Sequence, residues 1–235
     1  MIAALTLDLD DTLWPVMPTL LRAEAALQDW LRTHAPATAA AFDGPTLQRL
    51  RGEVARRHPE LAHDLTALRL ITLREALASA GDDPALAEPA FDVFFAERQR
   101  VQWYADVRPA LERLAARFPL LALSNGNAEL AATGLTDYFV GAVSARSVGV
   151  AKPAERIFAV ACAELRCAAG QVMHIGDDWR LDIVGARQAG LHTAWIRRPE
   201  AALHHGPASP DLDMPPAGHH LHVDDLLALA EALGV

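Results

Sequence analysis

Cysteine and long apolar runs are scarce in this sequence, and each scarcity narrows the class of protein. The two cysteines, Cys162 and Cys167, fall in or beside one predicted helix and give no disulfide framework. The apolar stretch Met1–Leu7 is interrupted by Asp8 before it could form a signal-peptide core, and no run approaches the roughly eighteen apolar residues of a membrane span. We therefore expect a cytoplasmic protein with no membrane segment.

Positive charge is also in short supply. The chain has 21 lysines and arginines against 30 aspartates and glutamates, so its formal net charge is −9. This charge argues against nucleic acid or an anionic membrane as the main partner. A small phosphorylated metabolite stays open as a partner, because a few local cations can overcome a distant net charge. The chain has no internal repeat, and its 235 residues are enough to bury a core.

The hydrophobic pattern divides the chain into two kinds of structure. Residues 2–9 form a short apolar run that ends in acids, as a buried parallel strand does where it opens on a site. Residues 14–105 show helical spacing with breaks at proline and glycine, and we expect four or so helices there with no strand. After residue 109 the pattern alternates between strands, at 119–123, 141–144, 172–175 and 192–196, and helices, notably 154–165 and 181–189.

This order predicts an α/β fold with a doubly wound, Rossmann-like parallel sheet. The core would consist of residues 1–14 and 106–235, with a helical domain of residues 15–105 inserted after the first strand. Ligands in such folds bind beyond the carboxyl ends of the strands. Residues 198–218 are predicted to be a surface loop, and five histidines in or near it match no standard metal-site spacing: His204, His205, His219, His220 and His222.

The first motif, Asp8-Leu9-Asp10-Asp11-Thr12-Leu13, directly follows the first predicted strand. In an extended chain Asp8 and Asp10 point the same way, and two neighbouring carboxylates repel each other unless a cation or a shared proton compensates. Mg²⁺, a hard ion that prefers oxygen ligands, is the obvious compensating cation. The alternative is an acidic turn in which Asp11 or Thr12 caps a helix.

The second and third motifs are weaker. Ser124 and Asn125 follow an apolar strand in Leu-Ser-Asn-Gly-Asn, where a hydroxyl and backbone amides could hold phosphate oxygens, although Ser-Asn-Gly also favours a plain turn. Lys152 precedes Pro153, which suits the first turn of the next helix. A lysine there is unfavourable for the helix dipole unless an anion lies beside it. A solvated loop lysine is the alternative.

The fourth motif, His-Ile-Gly-Asp-Asp-Trp-Arg-Leu-Asp, again places acids after an apolar strand and before a helix. Asp177 is well placed as a metal ligand, and Asp182 could orient Lys152 or a metal-bound water, with Asp178 as a further supporting carboxylate. Capping of the following helix is the alternative.

The order and spacing of the four motifs resemble the haloacid dehalogenase superfamily. That family has an Asp-x-Asp motif, then a Ser or Thr, a Lys and a Gly-Asp-x-x-x-x-Asp motif, and this chain shows Asp8/Asp10, Ser124, Lys152 and Gly176-Asp177 with Asp182 in that order. The resemblance covers the whole chain, with residues 15–105 similar to the family's inserted cap. Asp11 departs from the glycine that many members have, which is a frequent variant.

The resemblance implies a phosphatase mechanism. Asp8 would attack phosphorus and form an aspartyl-phosphate, and Asp10 would act as general acid and then as general base. Mg²⁺ would bind the Asp8 carboxylate, the Asp10 main-chain carbonyl and Asp177, while Ser124, the Asn125 amide and Lys152 would hold the phosphoryl oxygens. Dehalogenases of the superfamily are the nearest alternative, but they need no metal and typically lack the second aspartate. A non-catalytic binding protein on the same fold is the other alternative.

Short stretches resemble the YigB-like phosphatases, which act on FMN and on the phosphorylated ribitylaminouracil precursor of riboflavin. They are the Asp8–Leu13 motif, the cap residues His63, Asp64, Thr66 and Arg69, and the stretches 125–128, 174–178 and 195–197. This resemblance implies that His63, Asp64 or Arg69 contacts the leaving group and helps to select the substrate. A solvated Arg69, with His63 and Asp64 at the start of a helix, is the alternative.

Overall fold

A computed structural model describes residues 1–198 and 220–235 of the chain. The chain splits into two compact units, which we name the core unit (residues 1–15, 102–126 and 130–235) and the cap unit (residues 16–101 and 127–129). That the chain forms separate domains with boundaries at residues 14/15 and 105/106 stays a prediction.

The core unit is built on one sheet of parallel strands in the order β3-β2-β1-β4-β5-β6. The strands of the described residues are β1 (Ala4–Leu7), β2 (Leu120–Ser124), β3 (Gly141–Ser144), β4 (Val172–Gly176), β5 (His192–Ile196) and β6 (His220–Val223). The chain moves outward from β1 to β3 and then returns to β4 on the other side of β1. This is the doubly wound Rossmann-like order, so the predicted fold class is confirmed.

Helices account for the regular structure of the cap unit among the described residues, as predicted. They are α1 (Val16–His34), α2 (Pro36–Ala41), α3 (Gly44–Arg57), α4 (Leu65–Ala80) and α5 (Ala87–Arg98), with 3-10 turns at Pro59–Leu61 and Pro84–Leu86. The cap unit has its own hydrophobic core, in which Leu27, Leu31, Leu73 and Phe94 are among the buried side chains.

The helices of the core unit lie between successive strands, except the last, which follows β6. They are α6 (Val107–Ala115), α7 (Leu130–Thr133), α8 (Ala145–Val148), α9 (Glu155–Glu164), α10 (Gly185–Gln188) and α11 (Leu226–Ala232), with a π-helical segment at Trp179–Val184 and a 3-10 turn at Ala169–Gln171. Strands β1, β2 and β4 are buried along their whole length, because a parallel sheet of this kind is covered on both faces. Among the described residues, no helix combines the length and apolarity that a membrane crossing requires.

One strand was not predicted, and one local expectation was wrong. His220 and His222 lie in the edge strand β6, for which the sequence pattern predicted no element. Arg198, the predicted first residue of a surface loop, is 6% exposed. The rest of that predicted loop, with His204, His205 and His219, lies outside the described residues.

Candidate active site

Side chains from three neighbouring strands meet at one edge of the sheet. Asp8 directly follows β1, Ser124 ends β2, and Asp177 directly follows β4. Strand β1 pairs with β2 on one side and β4 on the other, so these are adjacent carboxyl ends at the point where the strand order reverses. Doubly wound sheets bind ligands at this point. The fold therefore brings together the strand ends that the motifs follow.

Lys152, the only lysine of the chain, lies between two carboxylates. Its Nζ is 2.8 Å from Asp8 Oδ1 and 2.6 Å from Asp182 Oδ1, and its side chain is 2% exposed. Helix α9 begins at Glu155, so Pro153 precedes the helix instead of occupying its first turn. The anions that the sequence argument required beside Lys152 are these two carboxylates, which we name, with the lysine, the lysine cluster.

Charge is unevenly balanced in the lysine cluster. Burial raises the pKa of Asp8 well above its usual range; Lys152 opposes this shift, and the carboxylates of Asp182 and Asp177 add to it. Burial also acts to lower the pKa of Lys152, but Asp182 and Asp8 outweigh it and raise that pKa. The pKa of Asp182 is lowered, because Lys152 and His174 outweigh the effect of burial. One cation thus serves three carboxylates, and an ionised Asp8 needs further positive charge.

The same carboxylates fit a divalent cation. One oxygen each from Asp8, Asp177 and Asp182 lie within 4.8 Å of one another, and carboxylate oxygens are the ligands that Mg²⁺ prefers. Both Asp182 oxygens already accept hydrogen bonds, Oδ1 from Lys152 and Oδ2 from the Asp178 N–H at 3.0 Å. The donor set therefore favours Asp8 and Asp177 as the carboxylate ligands.

Asp182 is held by the strand beneath it. His174 Nε2 lies 3.1 Å from Asp182 Oδ1, and His174 Nδ1 lies 2.9 Å from the Thr6 hydroxyl. Burial lowers the pKa of His174, so the neutral ring donates from Nε2 to Asp182 and accepts from Thr6. A Cβ on Gly176 would lie 2.3 Å from the Asp182 carboxyl group, so this close approach requires glycine. Sequence reasoning did not assign a role to His174.

A tight loop after β1 fixes Asp10. The indole Nε1 of the buried Trp14 donates to Asp10 Oδ1 at 2.8 Å. Asp11, with φ of 58°, turns the chain back so that its N–H donates to the Trp14 carbonyl at 2.8 Å. The Thr12 hydroxyl donates to Asp177 Oδ1 at 2.9 Å and so links this loop to the end of β4. Trp14 had no assigned role in the sequence, since nothing local marks a tryptophan as the partner of an aspartate.

Hydrogen bonds between side chains and the backbone organise the loop after β2. Ser124 Oγ accepts from the Gly126 N–H at 2.9 Å. The Asn125 side chain accepts from the Lys152 N–H at 2.7 Å and donates to the Lys152 carbonyl at 3.1 Å. The Asn125 side chain therefore fixes the backbone that carries Lys152, and the phosphoryl contact of the Asn125 main-chain amide stays a prediction.

The fourth motif contains one helix cap. Asp178 Oδ1 accepts from the N–H groups of Arg180 and Leu181, both at 2.8 Å, and so begins the π-helical segment. The residue that caps the following helix is thus Asp178, and not Asp177 or Asp182, for which capping was the alternative. Asp182 instead contacts Lys152, and Asp177 belongs to the carboxylate group described above.

The cap-unit candidates have different surroundings. Asp64 caps α4 by accepting from the Ala67 N–H at 2.9 Å. Arg69 is buried: its Nη1 lies 2.8 Å from Glu24 Oε1, and its guanidinium lies 3.5 Å from the centre of the Phe94 ring. The solvated-face alternative for Arg69 is therefore wrong. Within the described residues, the half-buried His63 has no hydrogen-bond or ion-pair partner. Leaving-group contact by any of the three stays a prediction.

The geometry can be compared with known proteins. A family model described as haloacid dehalogenase-like hydrolase matches residues 2–190. The 5-amino-6-(5-phospho-D-ribitylamino)uracil phosphatase YigB of Escherichia coli is 36% identical over 200 residues, covering 83% of this chain and 84% of the relative. The phosphoserine phosphatase of Thermus thermophilus is 34% identical over 148 residues, covering 59% of this chain and 58% of the relative.

A similar solved structure carries a different name. The crystal structure of a 2-haloacid dehalogenase from Pseudomonas syringae pv. Tomato DC3000 superposes with a TM-score of 0.87 and is 36% identical. It covers 100% of this chain, which in turn covers 99% of it. Both phosphatase and dehalogenase therefore occur among the names of similar proteins.

Proposed function

The chain belongs to the haloacid dehalogenase-like hydrolases and is a phosphatase of that family, and on this premise we propose that it hydrolyses a small phosphorylated metabolite with Mg²⁺ through an aspartyl-phosphate on Asp8. The observation that carries the proposal is the buried lysine cluster at the switch point of the sheet, with Asp177 beside it. A single lysine among three carboxylates leaves negative charge that a divalent cation can balance, and that cation would also offset the charge of a phosphoryl group.

In the first step, a carboxylate oxygen of Asp8 attacks phosphorus and forms a new oxygen–phosphorus bond. The bond from phosphorus to the leaving oxygen breaks, and the proton of Asp10 moves to that oxygen. Trp14 holds the Asp10 carboxyl group in place through the hydrogen bond to Oδ1. Lys152 offsets the negative charge that attacker and phosphoryl group bring together.

In the second step, Asp10, now a carboxylate, takes a proton from water. The water oxygen attacks phosphorus, the bond between Asp8 and phosphorus breaks, and inorganic phosphate leaves. Ser124 and the Asn125 amide hold the phosphoryl oxygens, supported by the loop geometry that Gly126 and Lys152 impose. Asp182, fixed by His174, keeps Lys152 in position throughout.

The Asp8 carboxylate, the Asp10 main-chain carbonyl and Asp177 would hold Mg²⁺. When bound, Mg²⁺ supplies the positive charge that an ionised Asp8 and an anionic substrate require. Asp178 and Asp182 act on this group indirectly, since one begins the following helix and the other orients Lys152.

For the substrate, we propose FMN or the phosphorylated ribitylaminouracil precursor of riboflavin, in the cytoplasm. The support is the 36% identity to a phosphatase named for the second compound, together with the short matches in the cap. Among the cap candidates, Asp64 and Arg69 have hydrogen-bond or ion-pair partners, whereas His63 has no such partner within the described residues. We therefore place substrate selection first on His63.

Dehalogenation is the second candidate, favoured by the name of the similar solved structure. The presence of Asp10 and Asp177 argues for phosphate, because family dehalogenases typically lack the second aspartate and need no metal. A non-catalytic role on this fold would be signalled by loss of the nucleophile or of Asp177, and both are present.

The test compares two reactions on the same preparation of the full chain. We expect para-nitrophenyl phosphate to be hydrolysed with Mg²⁺ and not in excess chelator, and 2-chloropropionate to release no chloride. Full hydrolysis in chelator would contradict the metal-dependent mechanism, and chloride release would favour the dehalogenase. A screen of phosphorylated metabolites that includes FMN and the ribitylaminouracil phosphate then tests the substrate.

A further inference from the structure

Arg198 is a buried cation that the mechanism above does not use. Its side chain is 5% exposed at the end of β5. Its Nε and Nη2 donate to the Thr12 carbonyl at 3.2 and 2.9 Å, and its Nη1 and Nη2 donate to the two Asp106 carboxylate oxygens at 2.8 and 2.9 Å. The guanidinium also lies 4.2 Å from the centre of the Tyr104 ring. Such a planar fork fixes both partners, which a point charge would not do.

Asp106 holds this fork at the junction of two helices. It precedes α6, and its Oδ2 also accepts from the Leu226 N–H, the first residue of α11, at 2.9 Å. Arg198 is therefore anchored on rigid elements on one side. On its other side it donates hydrogen bonds to the Thr12 carbonyl, in the loop that follows β1 between Asp10 and Trp14.

Thr12 connects Arg198 to the proposed metal site. The same residue whose carbonyl accepts from Arg198 donates its hydroxyl to Asp177 Oδ1 at 2.9 Å. The main-chain carbonyl of Asp177 is held separately by Trp195 Nε1 at 2.8 Å, from the strand that Arg198 follows. Rotation of the Thr12 peptide would move the hydroxyl that orients the Asp177 carboxylate.

We propose that Arg198 is a positioning residue that, through Thr12, sets the orientation of the Asp177 carboxylate toward Asp8. The inference rests on the proposed function, because it treats Asp177 as a ligand of the proposed Mg²⁺. Groups that orient metal ligands typically change metal affinity by about 10- to 100-fold when they are removed. Arg198 contacts Thr12 and not Asp177 itself, so we expect its removal to change metal affinity by the low end of this range, about 10-fold.

The experiment measures binding of Mn²⁺, a probe for the proposed Mg²⁺ site, to the full chain by electron paramagnetic resonance, alongside thermal unfolding and para-nitrophenyl phosphate kinetics. Arg198→Met should weaken Mn²⁺ binding about 10-fold and raise the Mg²⁺ concentration for half-maximal activity, with little change in KM at saturating Mg²⁺. Arg198→Lys should restore part of the affinity. Arg156→Met is the matched control, since Arg156 is an exposed arginine of the same unit, and it should change nothing.

A double-mutant cycle separates positioning from general destabilisation. Thr12→Val removes only the hydroxyl and should weaken Mn²⁺ binding by itself, but by much less when Arg198 is already methionine, because the two act in one chain of contacts. Unchanged Mn²⁺ affinity in a destabilised Arg198→Met, or additive effects in the cycle, would overturn the inference. If Arg198→Met does not fold, unchanged Mn²⁺ affinity in both Arg198→Lys and Thr12→Val would overturn it.

The outcome for the wild type separates this inference from the proposed function. A wild type that neither binds Mn²⁺ nor needs Mg²⁺ would overturn both. A wild type that does both, with variants that match it in Mn²⁺ affinity, would overturn the positioning role alone.

Discussion

Lys152 in the core unit and Arg69 in the cap unit are both buried cations, but their charges are balanced differently. Lys152 lies between two carboxylates, Asp8 and Asp182, whose attraction outweighs burial and raises its pKa. Arg69 packs against the face of Phe94 and shares one carboxylate, Glu24, with Arg51. Burial lowers the pKa of Arg69 to about 10 despite Glu24, and Arg51 adds to the lowering. The core unit therefore holds an excess of negative charge around its cation, and the cap unit does not.

The difference indicates two purposes. An ion pair that has no surplus of carboxylates, and that packs against an aromatic ring, stabilises the fold around it or specifies its packing. A buried group of carboxylates in excess over cations is costly unless something else binds there, which is the arrangement expected of a site. The comparison predicts that changes at Lys152 affect chemistry, whereas changes at Arg69 affect stability.

The largest expected effect is at the nucleophile. Asp8→Asn should abolish hydrolysis of para-nitrophenyl phosphate while the protein stays folded, because an amide keeps the shape of the side chain but cannot attack phosphorus. Steady-state kinetics with circular dichroism measure both. Activity above about 1% of wild type, a loss smaller than ~2.7 kcal/mol in barrier, would remove Asp8 as nucleophile once deamidation is excluded by mass spectrometry.

A matched pair of substitutions tests the comparison directly. Lys152→Met should lower kcat/KM for para-nitrophenyl phosphate by about 100-fold or more, since the anionic partners lose their cation. Arg69→Met should leave that kcat/KM within about threefold but lower the free energy of unfolding by about 2 kcal/mol, because Glu24 loses the nearer of its two arginine partners. Urea unfolding provides the second quantity. A stable Arg69→Met that is inactive on this small substrate would break the comparison.

The dependence of activity on Mg²⁺ tests whether the excess negative charge around Lys152 needs a metal ion to balance it. Asp177→Ala should raise the Mg²⁺ concentration needed for half-maximal activity by about 10-fold or more, because one of the proposed ligands is lost. The control is Asp137→Ala, which removes an exposed carboxylate from the same unit. Equal Mg²⁺ requirements in wild type and Asp177→Ala would show that the carboxylates are balanced without the metal.

The core site could be predicted because its evidence is local in sequence. Each strand ends in its own motif, and parallel strands place their carboxyl ends along one edge, so the strand order alone brings Asp8 and Asp177 together. The contacts that hold these groups are long-range. Arg198 and Asp106 are 92 residues apart, and Thr12 and Asp177 are 165 apart. No periodicity or spacing in the sequence connects such positions.

The cap unit was predictable as helices but not in its contacts. Helical spacing indicates which face is apolar, and it predicted the helices between residues 15 and 105. It placed Arg69 on a solvated face as one alternative, because an arginine is seldom buried in a protein without a partner. That partner, Glu24, lies on another helix 45 residues earlier. Strand β6 was missed although polar and apolar residues alternate in its sequence His-Leu-His-Val, because a run of four residues is the shortest that this pattern can indicate.

A smaller effect is expected at His63, the cap candidate without a partner within the described residues. His63→Ala should lower kcat/KM for FMN about fivefold while leaving para-nitrophenyl phosphate almost unchanged, because remote binding energy is available only to a substrate large enough to reach it. Arg69→Met serves as the control, since a structural change should affect both substrates alike. Equal effects of His63→Ala on both substrates would remove its selective role.

The pair of Asp106 and Arg198 tests whether the effect of a substitution depends on the unit that contains it or on the local balance of charge. It lies in the core unit, yet it is built like the cap pair, with one carboxylate and the aromatic ring of Tyr104 around one guanidinium. Although burial acts to raise the pKa of Asp106, the hydrogen bonds from Arg198 and the Leu226 N–H outweigh it and hold the pKa below its usual value of 3.8. Charge balance therefore predicts an effect on stability.

The sign of the pH dependence follows from that lowered pKa. A carboxyl group whose pKa is lower in the folded state stabilises the fold fully above its unfolded pKa and loses this contribution as the pH falls through the folded value. Asp106→Asn should thus cost about 2 kcal/mol in the free energy of unfolding at neutral pH, and the difference from wild type should shrink below about pH 4. Urea unfolding of both proteins between about pH 7 and pH 3 measures it. A difference that stayed constant over this range would mean that packing around Tyr104, and not the charge of Asp106, stabilises the junction of α6 and α11.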